Sequence, residues 1–597
     1  MKKTKANKLS KIDYIIFLLK PYWKYSKWYI ITVFLLSVVL QPLASYLTAI
    51  LPQKAIDAVM NNTPLKEVIF IIIIFTLFIV LVSATEKVIR MAYTQMTLVK
   101  VSNKIKNDVN RKALFTDFKY YDSPDFFVKF IFAQDNYPVH AQNAVMILPD
   151  ILRGAATVIA MTAIIATTGP VLLGITAFFV ILNALAELPV IKPTADYEVS
   201  LADAWRPMEY SGRVLKTKEN AAELRASGAG LKLLSSINTA MNNFQKTYKQ
   251  YIKKVAPFHL LQGAVAPIQA ACILSYIIFF VIAGDKSQIG LYASLTVAST
   301  ALASGLNDAA GSIIQLLQCI ANGEKIAEFF EAESEIEPVK DKALSAPEEN
   351  YEIELKDVTF GYDESPMLFR NFNLHIHPGQ RIAIVGENGA GKTTLTKLLL
   401  RLYDVNSGEI LVNGNNIKAY DIHQLRLNTG VVFQDIRVLA MSLRDNLTVY
   451  NDASDEKLYE VLRKLGLSEV LRKANGNLGT MVSREFTEDG ISLSGGEAQK
   501  LMLARLFTDN FGLLILDEPS SALDPLSEVK LMKSILDISN TATTIMIAHR
   551  LSTVRDFDCI YHIENGQIIE SGTHDELMAS KGKYYEMFVK QGEKYQN

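Results

Sequence analysis

Cysteine is scarce in this chain: three in 597 residues, at positions 272, 319 and 559. Three thiols cannot build a disulfide framework, which excludes a disulfide-stapled fold and leaves the redox compartment open. Net charge is scarcer still. Sixty-one Lys and Arg against 62 Asp and Glu leave −1, so no bulk charge points to nucleic acid, and none is expected as a partner. A cleavable signal is not expected either. Lysines at 2, 3, 5, 8 and 11 precede the apolar "YIIFLL", but Lys20-Pro21 interrupts the run and no small-residue cleavage site follows. The segment 12–20 is expected instead as an amphipathic elbow helix on a membrane surface.

Apolar residues are plentiful and unevenly spread. The mean hydropathy lies above zero, high for a soluble protein of this size. Long apolar runs occupy 28–51, 67–85 ("EVIFIIIIFTLFIVLVSAT"), 151–168, 170–189, 257–283 and 289–320. About 20 apolar residues cross about 30 Å of hydrocarbon, so six spans are expected. Lys and Arg concentrate in the N-terminal segment, in 87–140 and in 190–255. The connections at 52–66, 168–170 and 284–288 are short and hold few. That asymmetry puts both termini in the cytoplasm.

The two long basic segments read as rigid arms, with a pair of soluble inserts as the competing reading. Segment 87–140 is helical in pattern until "YYDSPDFF" (120–127), and 190–255 has a turn region at "SGRVLKTKEN" (211–220). About 25 residues out and 25 back reach about 35–40 Å at a helical rise. Residues 331–350, "EAESEIEPVKDKALSAPEEN", are acidic and aperiodic, a linker. From Tyr351 onward, strands such as "RIAIVG", "GVVF", "LLILD" and "TTIMIA" alternate with helical stretches, as a largely parallel sheet requires. The expected organisation is a membrane α-helical bundle over 1–330, the linker 331–350, and an α/β P-loop ATPase domain over 351–597.

The ATPase reading rests on "GENGAGKTT", which follows a strand and opens a helix, the context its pattern needs. Gly386, Glu387, Asn388, Gly389, Ala390 and Gly391 would turn backbone N–H groups toward phosphates. Lys392 supplies charge to the β- and γ-phosphates, Thr393 offers a hydroxyl to Mg²⁺, and Thr394 continues the loop into the helix. "LLILDEP" (513–519) ends a buried strand in two carboxylates. Asp517 would hold Mg²⁺, and Glu518 is placed to orient and deprotonate the attacking water. His549, after "TTIMIA", would polarise the γ-phosphate or the water. Gln434, after "GVVF", would reach Mg²⁺ or the water. Tyr362 in "FGYDES" either stacks on adenine or is an ordinary core tyrosine.

A second corner, "LSGGE" (493–497), also opens a helix. Ser494 and Glu497 have capping-box spacing and can satisfy the helix's own first N–H groups. Gly495 and Gly496 leave N–H groups bare at a positive helix end, which suits an anion.

Tyr362, Gly386–Thr394, Gln434, "LSGGE", "LLILDEP", "SALD" (521–524), His549 and "GTHDEL" (572–577), in that order, resemble the ATP-binding cassette (ABC) transporters, specifically exporter-type half-transporters. The resemblance spans nearly the whole chain, although the membrane half is similar only in layout and in the "YYDS" region. It implies that two identical chains sandwich two ATP molecules. Each ATP would lie between one chain's Lys392 and the other's Ser494, Gly495 and Gly496. Glu497 stands where the family more often has Gln, and an acid there is expected to turn back into the capping box. The resemblance implies outward transport by alternating access, with the arms relaying motion near Tyr121–Pro124 and Gly212–Lys218. It also implies a multi-pass protein of a bacterial cell membrane.

Few polar residues interrupt the spans. Asn307 and Asp308 lie mid-span beside Gly305 and Gly311; Asp308 contacts substrate or lines a wet cavity. Glu187 and Arg90 belong near span ends, Asp150 and Arg153 are spaced to pair, and Pro42, Pro257 and Pro267 are expected to kink their spans. No peptidase domain precedes the first span, so removal of a leader from a cargo peptide is not expected. "VVFQDIRVLAMSLRDNL" loosely resembles exporters of ribosomally made antimicrobial peptides. The substrate is therefore expected to be a peptide or another amphipathic compound, against a multidrug or lipid exporter. An ATP-gated regulator or channel is the reading from another class, and the intact Glu518 and His549 argue against it.

Overall fold

An apolar run inside a bilayer has to satisfy its backbone internally, and a helix does so within one segment. A computed structural model of the chain describes residues 10–593, apart from 62, 167–169, 218–219, 284–288, 333, 337–342, 348–349, 363–365, 435–437, 520–527, 529–530 and 537–541. The "SALD" string, Lys218, parts of the linker and two of the connections used for orientation lie outside the described residues. By contacts the chain divides into two units. One is 1–114 with 127–331; the other is 115–126 with 332–597.

The first unit is helical. Its elements are α1 (Lys11–Leu35), α2 (Gln41–Met60), α3 (Leu65–Val88), α4 (Thr94–Leu114), α5 (Pro124–Ala166), α6 (Pro170–Lys216), α7 (Ala221–Ala226), α8 (Ala229–Ala283) and α9 (Ile289–Phe330). Short π turns, Leu36–Leu40 and Ile89–Tyr93, join α1 to α2 and α3 to α4. Six helices among the described residues are long and apolar enough to cross a membrane. They are also longer than a crossing needs. α5, α6, α8 and α9 hold 43, 47, 55 and 42 residues. At 1.5 Å per residue that is about 60–80 Å, against about 30 Å of hydrocarbon. The arms are therefore continuations of the spans. In α4 the buried residues Thr94, Thr97, Val101, Ile105, Val109 and Ala113 recur every three or four positions, one apolar stripe on an otherwise charged helix.

One local expectation needs correction. Lys20-Pro21 does not end the first helix. α1 starts on a Ser10–Asp13 capping box, runs through Pro21 and leaves helical geometry only at Ser26 (φ −156°, ψ 51°). A proline inside a helix orphans the carbonyl four residues earlier; here that is Phe17, whose oxygen accepts from the Tyr137 hydroxyl at 3.3 Å. Pro42 opens α2 behind a π turn, and α8 stays helical through Pro257 and Pro267. α6 persists to Lys216 and the next helix starts at Ala221, so the break falls at the end of the expected segment 211–220. Glu187 accepts from the Gln262 amide of α8.

The second unit carries two sheets. The smaller is antiparallel, in the order β2 (Phe369–Ile376), β1 (Ile353–Phe360), β4 (Ser407–Val412), β5 (Asn415–Asn416). The larger runs β10 (Gln567–Gly572), β9 (Cys559–Glu564), β3 (Arg381–Val385), β8 (Thr543–Ile547), β7 (Leu513–Asp517), β6 (Thr429–Val432). All its neighbours are parallel except β10 against β9. β7 and β8 are buried at every position, as central strands of a parallel sheet covered on both faces are. Parallel strands end at one edge. The register sets Ile384 and Asp517 each level with Ile547, so the segments leaving β3, β7 and β8 emerge together. Ligands of open parallel sheets bind beyond that carboxyl edge.

Candidate nucleotide site

Three of the expected residue groups follow these strand ends. Residues 386–391 connect β3 to α10 (Lys392–Leu399). Gly386, Gly389 and Gly391 sit at φ of 150°, 85° and 106°. Two of them also leave no room for a side chain: a Cβ on Gly386 would meet the Ile563 carbonyl oxygen at 2.2 Å, and one on Gly391 the Phe369 ring at 2.8 Å. The lysine is drawn into its own loop. Lys392 Nζ donates to the carbonyl oxygens of Gly386 at 2.8 Å and Glu387 at 2.9 Å. Burial pulls its pKa below the ordinary lysine value, against the raising effect of Glu518 and Asp517.

Asp517 ends β7 with its side chain 1 % exposed. Its Oδ2 accepts from the Thr393 hydroxyl at 3.2 Å, while Oδ1 is buried with no hydrogen-bond partner. Burial lifts its pKa above the usual carboxylate range, with the Thr393 hydrogen bond opposing and the Glu518 charge adding. Glu518 follows at φ 50°, left-handed for a residue that is not glycine, and its N–H donates to Ile547 O at 3.0 Å. Such a backbone costs about 1–3 kcal/mol and persists where surrounding contacts dictate it. The side chain is fixed as well: Glu518 Oε1 lies 2.7 Å from His549 Nε2. The His549 carbonyl in turn accepts from Gln591 Nε2 at 2.7 Å.

The remaining expected residues stand apart from this cluster. Tyr362 is half-buried; its hydroxyl lies 3.0 Å from Thr394 Oγ1, and its ring is edge-on to Phe360 and Tyr403. Gln434 is exposed two residues past β6. Ser494 caps α11 (Gly495–Ala504) in a complete capping box. The Ser494 N–H donates to Glu497 Oε2 at 2.8 Å, and the Glu497 N–H to Ser494 Oγ at 3.3 Å. Lys473 Nζ holds the same carboxylate at 2.7 Å. Desolvation alone would raise the Glu497 pKa; the Lys473 and Ser494 hydrogen bonds outweigh it and hold the group below its ordinary value. Glu497 thus faces its own helix, and Ser494 and Gly495 remain exposed. Among the described residues no hydrogen bond joins this corner to the phosphate loop.

The family model for "ABC transporter" matches residues 369–521. An uncharacterized ABC transporter ATP-binding protein of Haemophilus influenzae is 30% identical over 425 residues, 70% of this chain and 67% of that protein. The chain belongs to the ABC transporter family. The beta-(1-->2)glucan export ATP-binding/permease protein NdvA of Bartonella bacilliformis is 35% identical over 335 residues, 56% of this chain and 55% of NdvA. The chain spans about half the length of the first curated relatives it matches. A bacterial Atm1-family ABC exporter, solved with ATP bound, shares the fold at a TM-score of 0.78 and 20% identity, covering 95% of this chain and 98% of the other.

The site of this ABC transporter fits the groups its family implies. Gly386, Gly389 and Gly391 form a cradle that only glycine backbones allow, at the N-terminus of α10, which suits phosphate. A buried carboxylate oxygen without a donor, next to a threonine hydroxyl, is a hard-oxygen pair of the kind Mg²⁺ takes. Asp517 and Thr393 could therefore hold that ion.

Sequence reasoning missed how the first elbow of the transporter is held. Within the second unit, residues 115–126 dock on the ATPase core. Phe118 is edge-on to Tyr403 at 5.8 Å, and Lys397 Nζ sits 5.3 Å from the Phe118 ring, 5.3 Å from Tyr362 and 5.7 Å from Tyr403. The Tyr403 hydroxyl donates to Asp122. Asp117, buried, accepts from the N–H groups of Glu335 at 2.8 Å and Ile336 at 3.3 Å, and from the Ser334 hydroxyl. The aromatic density of "YYDSPDFF" was the available signal. The partner residues, far along the chain, carried none.

Proposed function

We propose that this chain is an ATP-driven exporter that works as a homodimer by alternating access. Its membrane domain would span 1–330, its linker 331–350 and its nucleotide-binding domain 351–597. The observation that carries the reading is the convergence of Lys392, the Thr393–Asp517 pair and the Glu518–His549 pair at one edge of a parallel sheet, in a chain that also holds six apolar spans.

In this reading Lys392 leaves the loop carbonyls for the β- and γ-phosphates, and the loop N–H groups bind the same oxygens. Thr393 and Asp517, with Gln434 as a further candidate, would hold Mg²⁺, which would supply charge neutralisation for the phosphoryl group. Glu518, aimed by its backbone and by His549, takes a proton from water as the water oxygen bonds the γ-phosphorus and the bond to the β-γ bridging oxygen breaks. Tyr362 stacks on adenine. Ser494, Gly495 and Gly496 cover the γ-phosphate of the partner's ATP, so ATP favours the closed pair and hydrolysis removes that preference. The elbows near Tyr121–Pro124 and Gly212–Lys218 carry closure to the spans. The charge asymmetry of the connections favours ATPase domains on the cytoplasmic side, and the family resemblance favours a bacterial cell membrane. The cargo is a peptide or another amphipathic compound.

Composite sites make a sharp test. Lys392→Ala and Ser494→Arg, each made alone, should abolish hydrolysis. Purified mixed dimers carrying one chain of each would hold one intact site, from the Lys392 of one chain and the Ser494 corner of the other. They should recover a large part of wild-type turnover. Mixed dimers as dead as the two parents would refute the shared sites.

A further inference from the structure

One cluster of metal-binding side chains in the second unit belongs to none of the motifs and lies outside the nucleotide site. His375 and His377 flank Ile376 at the end of β2. Successive strand residues point to opposite faces. Ile376 is fully buried in the core, and both histidines are exposed on the other face. β1 pairs antiparallel with β2, with Ile353 opposite Ile376 and Glu354 opposite His375. One step further in that register, Glu352 stands opposite His377. His375 Nε2 lies 2.8 Å from Glu352 Oε1, and the two imidazole rings are 4.4 Å apart. One donor atom from each of the three residues lies within 4.8 Å of the others.

The backbones that carry these donors are tied down. The Glu352 N–H donates to Asn413 Oδ1 at 2.7 Å, and the Glu352 carbonyl accepts from the Asn413 N–H at 2.9 Å. The His375 carbonyl accepts from the Tyr561 hydroxyl of β9 at 3.3 Å. His377 opens a tight turn into β3. Its carbonyl accepts from the Gln380 N–H at 3.0 Å, its N–H donates to Gln380 Oε1 at 3.0 Å, and Gly379 sits at φ 72°. Glu354, on the same face, is engaged by Lys356 at 2.9 Å. Three donors thus converge on a fixed framework, and side-chain rotation is enough to close the set.

We infer that His375, His377 and Glu352 form a binding site for a divalent transition-metal ion of the zinc class. Two imidazoles and one carboxylate are a donor set that zinc takes, with a fourth position left to water. Zinc bonds of about 2.0–2.2 Å set the donors of a tetrahedron about 3.4 Å apart. The Glu352–His375 pair would open slightly, and the widest pair would close by at most about 1.4 Å. Mg²⁺ and Ca²⁺ take oxygen ligands, so two imidazoles select against them. The ion would tie the start of β1 to the end of β2, where the chain turns into the strand that leads to the phosphate loop. The site does not depend on the export reading.

The test is Zn²⁺ titration of the full-length protein in detergent, free of any affinity tag and stripped with chelator, with a chromophoric indicator reading free metal. Excess Mg²⁺ is present throughout to cover the nucleotide site. Wild type should take up one Zn²⁺ per chain saturably, and its unfolding midpoint should rise with Zn²⁺. His375→Gln and His377→Gln should each weaken uptake at least ~10-fold and lose the rise in midpoint. Glu352→Gln keeps a hydrogen-bonding partner for His375 and removes the charge, and it should weaken uptake as well. Asp517→Asn should leave uptake unchanged. No saturable uptake by wild type, or unchanged uptake in both histidine variants, overturns the inference. Uptake lost in Asp517→Asn would put the zinc at the nucleotide site, which overturns it too. If the three residues only hydrogen-bond one another, the substitutions would shift the metal-free midpoint and leave zinc uptake intact, and the inference fails.

Discussion

Glu518→Gln isolates the proposed chemical step from everything that positions it. Glutamine keeps the length and shape of the side chain, and its amide can still hydrogen-bond His549 Nε2, now 2.7 Å from the carboxylate. The left-handed backbone at φ 50° is a property of the chain path and should persist. What disappears is the capacity to accept a proton. A positioned general base contributes about 10²–10⁴-fold, which is about 3–5 kcal/mol on the barrier. Affinity for ATP should stay within ~3-fold, because Lys392, the glycine cradle and Asp517 are untouched. Single-turnover hydrolysis with radiolabelled ATP at saturation reads the first quantity, and filter binding at low temperature the second. His549→Ala provides the internal comparison. It frees the carboxylate without removing it, so its loss of rate should be the smaller of the two. Turnover of Glu518→Gln within ~3-fold of wild type, or a greater loss in His549→Ala, would refute the assignment of the base to Glu518.

Two further outcomes follow from geometry outside the chemical step. Asp117→Asn replaces a buried acceptor of two backbone N–H groups and a hydroxyl with a group that accepts on one side only. An unmet buried donor costs about 1–3 kcal/mol, so thermal unfolding of the ATPase half should begin several degrees lower; a midpoint within a degree of wild type would show that the elbow is not held there. Glu497 has its pKa depressed in the fold, so its stabilising contribution is complete above the unfolded carboxyl pKa of about 4.5 and is lost as pH falls through the lower folded value. Wild type should therefore exceed Glu497→Gln in denaturant stability at pH 7, with the gap shrinking only once pH falls below about 4.5 and closing below the folded value; a gap independent of pH would contradict the Lys473–Glu497 pairing as its source.

The candidate site was legible where its chemistry is local. A glycine-rich loop between strand and helix, or two acids ending an apolar strand, is written in consecutive letters, and parallel pairing brings the strand ends to one edge. The six spans were legible because their length is fixed by hydrocarbon thickness. The features that escaped depend on partners remote in sequence. Lys20-Pro21 interrupts the apolar run in sequence yet does not end α1, and the hydroxyl that meets the Phe17 carbonyl belongs to the remote Tyr137. "YYDSPDFF" reads as an elbow, but the contacts of Asp117 with residues 334–336 and of Phe118 with the Lys397 it shares with Tyr362 come from residues just before that string and from partners remote in sequence.

That shared lysine has a consequence for coupling. Tyr362, the proposed adenine contact, also reaches Thr394 beside the phosphate loop, while Phe118 belongs to the elbow segment. One ammonium group lies 5.3 Å from both rings. In the proposed reading, an adenine that drew Tyr362 into a stack would change what surrounds Lys397, which also lies against Phe118. Nucleotide occupancy would then reach the elbow segment through a few side chains that no single motif contains.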